Sequence, residues 1–308
     1  MDTPMSKQKV AKPNEEARFG PVVFIPGDKG GRYPFCHSLY VEADFKVVID
    51  PASSRQRLDE LLHGPGVDAV WLSHYHEDHF MHLDLFKERP LWMSETDAPA
   101  LQDLDCLLNF YGMNDSNERA YWTRIMTEQF HYRPRPIDRF LRPAEVIDLG
   151  GVTVEVIPTP GHTPGHCSFF FREPGVLFLG DYDLTAFGPW YGDVGSDIEA
   201  TIESVRRLRS VHARTCIAAH EQGVFSFVPE DTWDSYLRVI DDREQRLLDL
   251  LQTPRTMAEI VDARILYRKK REPKEFYDFG ERAHMAKHLD RLIKRKAVFL
   301  DEDRYCSI

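Results

Sequence analysis

The sequence predicts an α/β fold with a helical C-terminal end, on three observations. Between residues 21 and 228, short runs rich in Val, Ile, Phe and Tyr alternate with longer amphipathic stretches. Several of the apolar runs empty into His or Asp, the place where α/β proteins put their chemistry. Beyond residue 229 the strand pattern nearly vanishes and helical periodicity takes over. The expected division is a loose polar tail over 1–20, a catalytic domain over 21–228, and a linker helix with a small domain over 229–308.

The elements follow in order. GPVVFIPG, HSLYVEA and KVVIDPA read as consecutive strands broken by Gly, Pro and Asp. SSRQRLDELLHG reads as a helix with Ser53 or Ser54 as N-cap and Gly64 as its stop, and DAVWLSHYH as an apolar strand with a polar end. A helical, aromatic insertion is expected over about 97–142, either as a cover over a substrate cleft or as a surface for self-association. Strands resume in EVIDLGGVTVEVIPTPG, CSFFF and GVLFLGD. Ser196 and Glu199 offer a capping box for the next helix, and TCIAAH is the last strand of the body. Three helices then follow, one over EDTWDSYLRVIDDREQRLLDLLQ, one over TMAEIVDARIL capped by Thr256 and Glu259, and one from Gly280. VFLDEDRYCSI closes as a hairpin, the pattern of a winged helix.

Composition narrows the function. With 308 residues, 42% hydrophobic and 29% charged, the chain is globular stock for one large domain or a core with an appendage. No apolar run approaches the ~18 residues of a membrane span, and the N-terminal segment lacks the apolar centre of a secretory signal. Five scattered cysteines without a CxxC imply thiols in a reducing compartment, hence the cytoplasm. The net charge of −11 is uneven: residues 243–296 hold 15 Lys/Arg against 9 Asp/Glu, leaving 24 against 41 elsewhere. An acidic body repels a polyanion, whereas the basic tail attracts one.

The densest chemistry lies in His74, His76, Asp78 and His79 of HYHEDH. Four ligand-type side chains within six residues converge only if the chain turns there from strand into helix. Imidazole nitrogen with carboxylate oxygen suits zinc, and also iron or manganese, at roughly 2.0–2.2 Å. TPGHTPGH (His162, His166), LGD (Asp181) and AAHE (His220) each end a later apolar run.

Together these motifs resemble the metallo-β-lactamase fold superfamily, over about residues 21–228. The resemblance implies a four-layer αβ/βα sandwich and a two-metal hydrolytic site. It places His74, His76 and His162 on one divalent cation, Asp78, His79 and His220 on the other, and Asp181 as the bridge. It favours His162 over His166 as the ligand and leaves His166 as a supporting histidine. Aspartate at position 181 looks like the hydroxyacylglutathione-hydrolase type of site, where the main class of zinc β-lactamases has Cys. Two cations about 3.5–4 Å apart activate a shared water as a metal-bound hydroxide at neutral pH, and Asp78 is the candidate proton carrier. The C-terminal segment resembles the winged-helix module of some lactamase-like endoribonucleases.

The substrate expectation is a small acyl ester, foremost a thioester of the acyl-CoA or acyl-glutathione type. Tyr75, Tyr182, Trp190 and Tyr191 are the candidate contacts, and Arg268-Lys269-Lys270-Arg271 is either a solvated loop or a clamp for a cofactor phosphate. Single-stranded RNA is the alternative substrate, held by the basic tail, but the acidic body speaks against it. Homo-oligomerisation stays open.

Overall fold

The computed structural model describes residues 15–308. Residues 1–14 of the expected tail lie outside them. The rest of that tail is not loose, because Ala17–Phe19 forms strand β1 and pairs with β2 (Val22–Ile25).

A short turn, α1 (Asp28–Gly31), leads to β3 (Ser38–Val41) and β4 (Val47–Ile49). Helix α2 (Arg55–His63) is capped by Ser54, whose hydroxyl accepts the Arg57 N–H, and ends at Gly64. Strand β5 (Ala69–Trp71), the one-turn helix α3 (Glu77–Phe80) and β6 (Leu91–Met93) follow. The insertion is less helical than expected. Helices α4 (Ala98–Gln102), α5 (Leu104–Phe110) and α6 (Ser116–Glu128) give way to extended chain and then to β7 (Arg139–Phe140). That strand pairs in parallel with β6 and ends the first sheet, ordered β1-β2-β3-β4-β5-β6-β7.

The second sheet takes β8 (Val146–Asp148), β9 (Thr153–Pro158), β10 (Cys167–Phe171), β11 (Val176–Gly180), β12 (Thr215–Ala218) and β13 (Val224–Phe225), with α7 (Ile198–Ser210) between β11 and β12. Period-two alternation decides which side each residue buries. Val154, Val156, Phe169, Val176 and Phe178 face the first sheet in one shared core, where Phe169 meets Trp71 at 5.5 Å between ring centres. Leu177, Leu179 and Ala218 point the other way, against Val205 and Leu208 of α7 and Trp233 and Tyr236 of α8 (Glu230–Leu250). The cap of α7 differs from expectation. Asp197 accepts the Ala200 N–H, while Ser196 donates to the His162 carbonyl and so ties the helix entry to a ligand loop.

The C-terminal region contains α8, β14 (Arg255–Thr256), α9 (Met257–Asp262), α10 (Lys274–Lys294), β15 (Val298–Asp301) and β16 (Arg304–Ser307). The three strands form a separate antiparallel sheet, β14-β16-β15, and the expected Thr256/Glu259 capping box has both of its bonds. Leu247, Leu251, Ile260, Met285, Leu289 and Val298 give this region its own small core. Helix α10 begins six residues before Gly280, and it carries Phe276 and Phe279 into the main core of the body. A Cβ on Gly280 would sit 2.2 Å from the Tyr267 hydroxyl, so a mid-helix glycine is the condition for that tyrosine to pack there. Arg282 reaches Glu118 at 2.5 Å and Arg291 reaches Glu199 at 2.9 Å, which ties α10 to the body. Among the described residues no helix is long and apolar enough to cross a membrane, and all five cysteines are free thiols.

Candidate metal centre

Four strand ends deliver the site to one edge of the sandwich. β5 stops at Trp71, so His74 and His76 stand in the loop beyond it and not on the strand, and His76 precedes the first turn of α3, which holds Asp78 and His79. His162 lies in the β9–β10 loop, Asp181 just past β11 and His220 just past β12. At Gly180 the register between β11 and β12 shifts and φ is +61°, and a Cβ there would lie 2.4 Å from His166 Nε2. Glycine alone lets the strand turn its next residue, Asp181, toward the histidines.

The seven side chains form two touching clusters. His74, His76, His162 and Asp181 make one, and Asp78, His79 and His220 the other, each with ligand atoms within 4.8 Å of one another. His162 Nε2 lies 3.1 Å from His74 Nε2, 2.9 Å from His76 Nδ1 and 3.4 Å from Asp181 Oδ2. On the other side, Asp181 Oδ1 lies 2.8 Å from His79 Nε2 and 3.3 Å from His220 Nε2, and Asp78 Oδ2 is 3.5 Å from His220 Nε2. One oxygen of Asp181 therefore serves each cluster.

The outer nitrogen of every histidine fixes its tautomer. His79 Nδ1–H donates to Asp50 Oδ2 at 2.9 Å, and Ser73 Oγ donates to the same oxygen at 2.7 Å. Ser73 Oγ must then accept from His74 Nδ1, 2.9 Å away. His76 Nε2–H donates to Asp193 at 2.6 Å, His162 Nδ1–H to the Trp190 carbonyl at 3.1 Å, and His220 Nδ1–H to the Gly31 carbonyl at 2.7 Å. In their neutral form all five rings therefore present lone pairs inward, toward each other and toward two carboxylates. Asp181 Oδ1 and His79 Nε2 are buried without a hydrogen-bond partner. Crowded acceptors with no donor among them are repulsive unless cations sit between them, so this donor set fits two divalent ions.

Protonation preferences follow the same division. Burial, joined by neighbouring histidines, holds His74 well below its usual range and His162 at about 3. Burial also opposes charge on His76 and His220, but Asp193 outweighs it at the first, raising it to about 9, and Asp181 at the second, raising it to about 10. Against burial, His79, His220 and His162 pull Asp181 well below the carboxylate range. The carboxylates draw positive charge into the centre, whether it arrives as protons or as metal.

His166 stands behind the clusters. Its Nδ1 donates to Thr159 Oγ1 at 2.8 Å and its Nε2 accepts the Asp181 N–H at 3.3 Å, which aims Asp181. His82 and His131 come together with Asp84, but both Asp84 oxygens already hold the Arg55 guanidinium, at 2.8 and 2.6 Å.

Asp78, Asp181, His76, His162 and His220 border a cavity of ≈ 410 Å³. Its far wall is aromatic, with Tyr111 and Trp122 from the insertion, Phe187 and Trp190 from the loop after β11, and Tyr267, Phe276 and Phe279 from the C-terminal region. The expectation for the four contact aromatics needs correction. Trp190 borders the cavity, but Tyr75, Tyr182 and Tyr191 are wholly buried away from it. Tyr75 donates to Asp193, Tyr182 to the Thr159 and Pro160 carbonyls, and Tyr191 contacts His288 and Arg243. Sequence reasoning also missed Asp50, Asp193 and Arg243. The Arg243 guanidinium, buried on α8, donates to the Pro189 carbonyl at 2.9 Å and the Phe187 carbonyl at 2.5 Å. It thereby holds the loop whose Trp190 carbonyl orients His162.

Residues 33–220 match the Metallo-beta-lactamase superfamily, well over half of the chain. The chain belongs to this superfamily. As a metallo-β-lactamase superfamily member it carries both of its His/Asp clusters at or within the matched stretch. A probable metallo-hydrolase of Streptococcus pyogenes is 29% identical over 44% of this chain and 56% of its own length. A hydroxyacylglutathione hydrolase of Hyphomonas neptunium is 36% identical over 28% of this chain and 33% of its own. An atrochrysone carboxyl ACP thioesterase of Aspergillus fumigatus is 28% identical over 44% of this chain and 41% of its own. The chain thus spans between a third and somewhat over half of these relatives' lengths. Among solved structures, a metallo-β-lactamase family protein of Thermus thermophilus superposes with a TM-score of 0.72 at 22% identity, over 94% of this chain and 99% of that one. A β-lactamase domain protein of Burkholderia ambifaria gives 0.70 at 19% identity, over 100% and 98%. The shared fold therefore extends through the C-terminal helices.

Proposed function

We propose that this superfamily member hydrolyses thioesters of small acyl groups at a dinuclear centre held by His74, His76, His162, Asp78, His79, His220 and the bridging Asp181. The observation that carries the reading is the cavity: a His/Asp wall faces an aromatic wall across a space sized for a small organic acyl group. Thioester-cleaving relatives support it, since one is named a hydroxyacylglutathione hydrolase and another an ACP thioesterase. Zinc suits the nitrogen and oxygen donors, with iron and manganese as the other metals of that preference.

Bound cations supply an activated water and polarise the scissile carbonyl. The chain does the rest. Asp78, at the cavity edge, is the carboxylate that would help hold a cation and would receive a proton there for return to the departing thiolate. Trp122, Trp190 and Phe279 hold the acyl group against the centre and keep bulk water away. The three C-terminal helices and their sheet, winged-helix-like in order, act here as a cleft wall and not as a grip for nucleic acid. The acidic partners Glu118, Glu199 and Glu244 neutralise the cations of α10, so few of them remain for a phosphate backbone.

The test is thiol release from an acyl thioester panel by the purified protein, run beside cleavage of single-stranded RNA. Thioester turnover that disappears on chelation, returns with zinc and is abolished in His76→Ala supports the reading. Cleavage of RNA with no thioester turnover overturns it.

A further inference from the structure

The basic loop between α9 and α10 is attached to the cleft. Glu281, fully buried on α10, accepts the Leu266 N–H at 2.5 Å and the Tyr267 N–H at 3.1 Å, so both carboxylate oxygens anchor the base of the loop. Tyr267 lies against Gly280 and borders the cavity, and Arg268 directly after it takes a left-handed φ of +65°. Such a conformation in a non-glycine residue costs energy and persists only where the surroundings impose it. The loop therefore meets the cavity through Tyr267 at its base and Arg271 at its end, with Arg268 and Lys269 exposed between them.

The four cations of this loop are not equivalent. Lys270 pairs with Asp262 at 3.2 Å. Among the described residues no carboxylate pairs with Arg268, Lys269 or Arg271, although the acidic body offers many. Arg271 borders the same cavity as the candidate metal ligands, and its guanidinium lies over the Tyr277 ring, 5.7 Å from the ring centre. Arg32 borders the cavity as well, but Glu221 holds it at 3.2 Å. Arg271, with no carboxylate partner among the described residues, therefore borders the same aromatic-walled cavity as the candidate metal ligands.

We propose that Arg271, assisted by Arg268 and Lys269, forms a phosphate subsite, so that the substrates are thioesters of a phosphopantetheine arm. This rests on the thioester reading of the centre. The acyl group lies between the aromatic wall and the His/Asp wall. The arm runs out along the channel, and its phosphate meets the planar fork of Arg271, a geometry suited to bidentate phosphate binding. Local positive charge is required here because a strongly acidic body otherwise repels such a ligand. The same arm occurs on free CoA and on carrier proteins, and the loop reads the phosphate that both share.

The test compares one acyl group, hexanoyl, on pantetheine, on 4′-phosphopantetheine, on CoA and on glutathione, with Arg271→Ala, Arg271→Lys and Lys294→Ala, an exposed cation on α10 outside the cavity wall. The phosphorylated thioesters should show a KM roughly tenfold or more below that of pantetheine, the worth of one charge-assisted hydrogen bond. Added salt should narrow the gap. Arg271→Ala should collapse the preference toward unity, Arg271→Lys should retain part of it, and Lys294→Ala should leave it intact. Equal preference for CoA and 4′-phosphopantetheine supports the arm phosphate as the ligand, whereas preference for CoA alone assigns the loop to the nucleotide phosphates and overturns the shared-arm reading. Turnover of pantetheine, glutathione and phosphorylated thioesters with the same KM, or a preference untouched by Arg271→Ala, overturns the subsite and leaves the thioesterase standing. Absence of turnover on every thioester sinks both.

Discussion

Replacing Asp50 by Asn alters one atom at the place where the two halves of the centre are braced. Asp50 is fully buried; its Oδ1 accepts the Ser73 N–H at 2.8 Å, and its Oδ2 accepts from Ser73 Oγ at 2.7 Å and from His79 Nδ1 at 2.9 Å. The amide oxygen of Asn keeps the Ser73 N–H, so the new NH₂ group occupies the position of Oδ2. Ser73 tolerates this, because its hydroxyl can turn from donating to accepting, and it still accepts from His74. His79 cannot, since its Nδ1–H now meets another donor. The proton therefore moves to Nε2, where it finds Asp181 Oδ1 at 2.8 Å and blocks the lone pair that would bind metal. Loss of such a supporting partner typically weakens metal affinity 10–100-fold, about 1.4–2.8 kcal/mol. The structure places that loss on the Asp78/His79/His220 side. Zinc titration of the stripped protein by calorimetry or against a chromophoric chelator should resolve one site near wild-type affinity and one weakened by that factor, with hydrolysis reduced alongside. Two sites as tight as in the wild type, or equal weakening of both, would refute the argument from tautomers.

Gly180→Ala places a methyl group 2.4 Å from His166 Nε2 at a φ of +61°, and should lower stability by about 1–3 kcal/mol while displacing Asp181; an unchanged urea midpoint with full activity would contradict it. Asp97 is buried between Thr163 and Gly165, and burial raises its carboxyl to about 7 from an ordinary value of 3.8. Between those values the folded state keeps a proton that the unfolded state has lost, so stability falls as pH rises through the window, by about 4 kcal/mol in all. Urea melts from pH 4 to 7 should show this decline, and Asp97→Asn, which can still accept from Gly165, should flatten it; parallel curves for the two proteins would reject the assignment.

The candidate ligands could be picked out because each stands at or just past the end of an apolar run, and the structure gathers them into two clusters. Asp50 carries the same signal at the end of KVVIDPA, yet nothing in the sequence separates a residue that supports a ligand from one that stops a strand. Asp193 carries no signal, since its partners Tyr75 and His76 are distant in sequence and meet it only through tertiary closure. The misjudged aromatics share one cause. Tyr75, Tyr182 and Tyr191 each adjoin a residue that faces the centre or its cavity, and in extended chain immediate neighbours point to opposite sides. Adjacency to a functional residue was thus evidence for burial. The first turns of α10 were hidden by Gly280, whose low helix propensity suggests a boundary until Tyr267 is seen to need the space.

The grip of Arg243 on the segment around Trp190 makes α8 part of the support of the candidate metal centre, although it lies outside the stretch 33–220 that marks the superfamily. His284 and His288 of α10 fasten the neighbouring Tyr191 from a second direction. Excising the segment from α8 onward, about the last quarter of the chain, would expose an apolar flank and also release the strut behind His162. In this protein the appendage and the reactive centre share one fate: heat, denaturant or a protease that frees the final helices also disarms the chemistry.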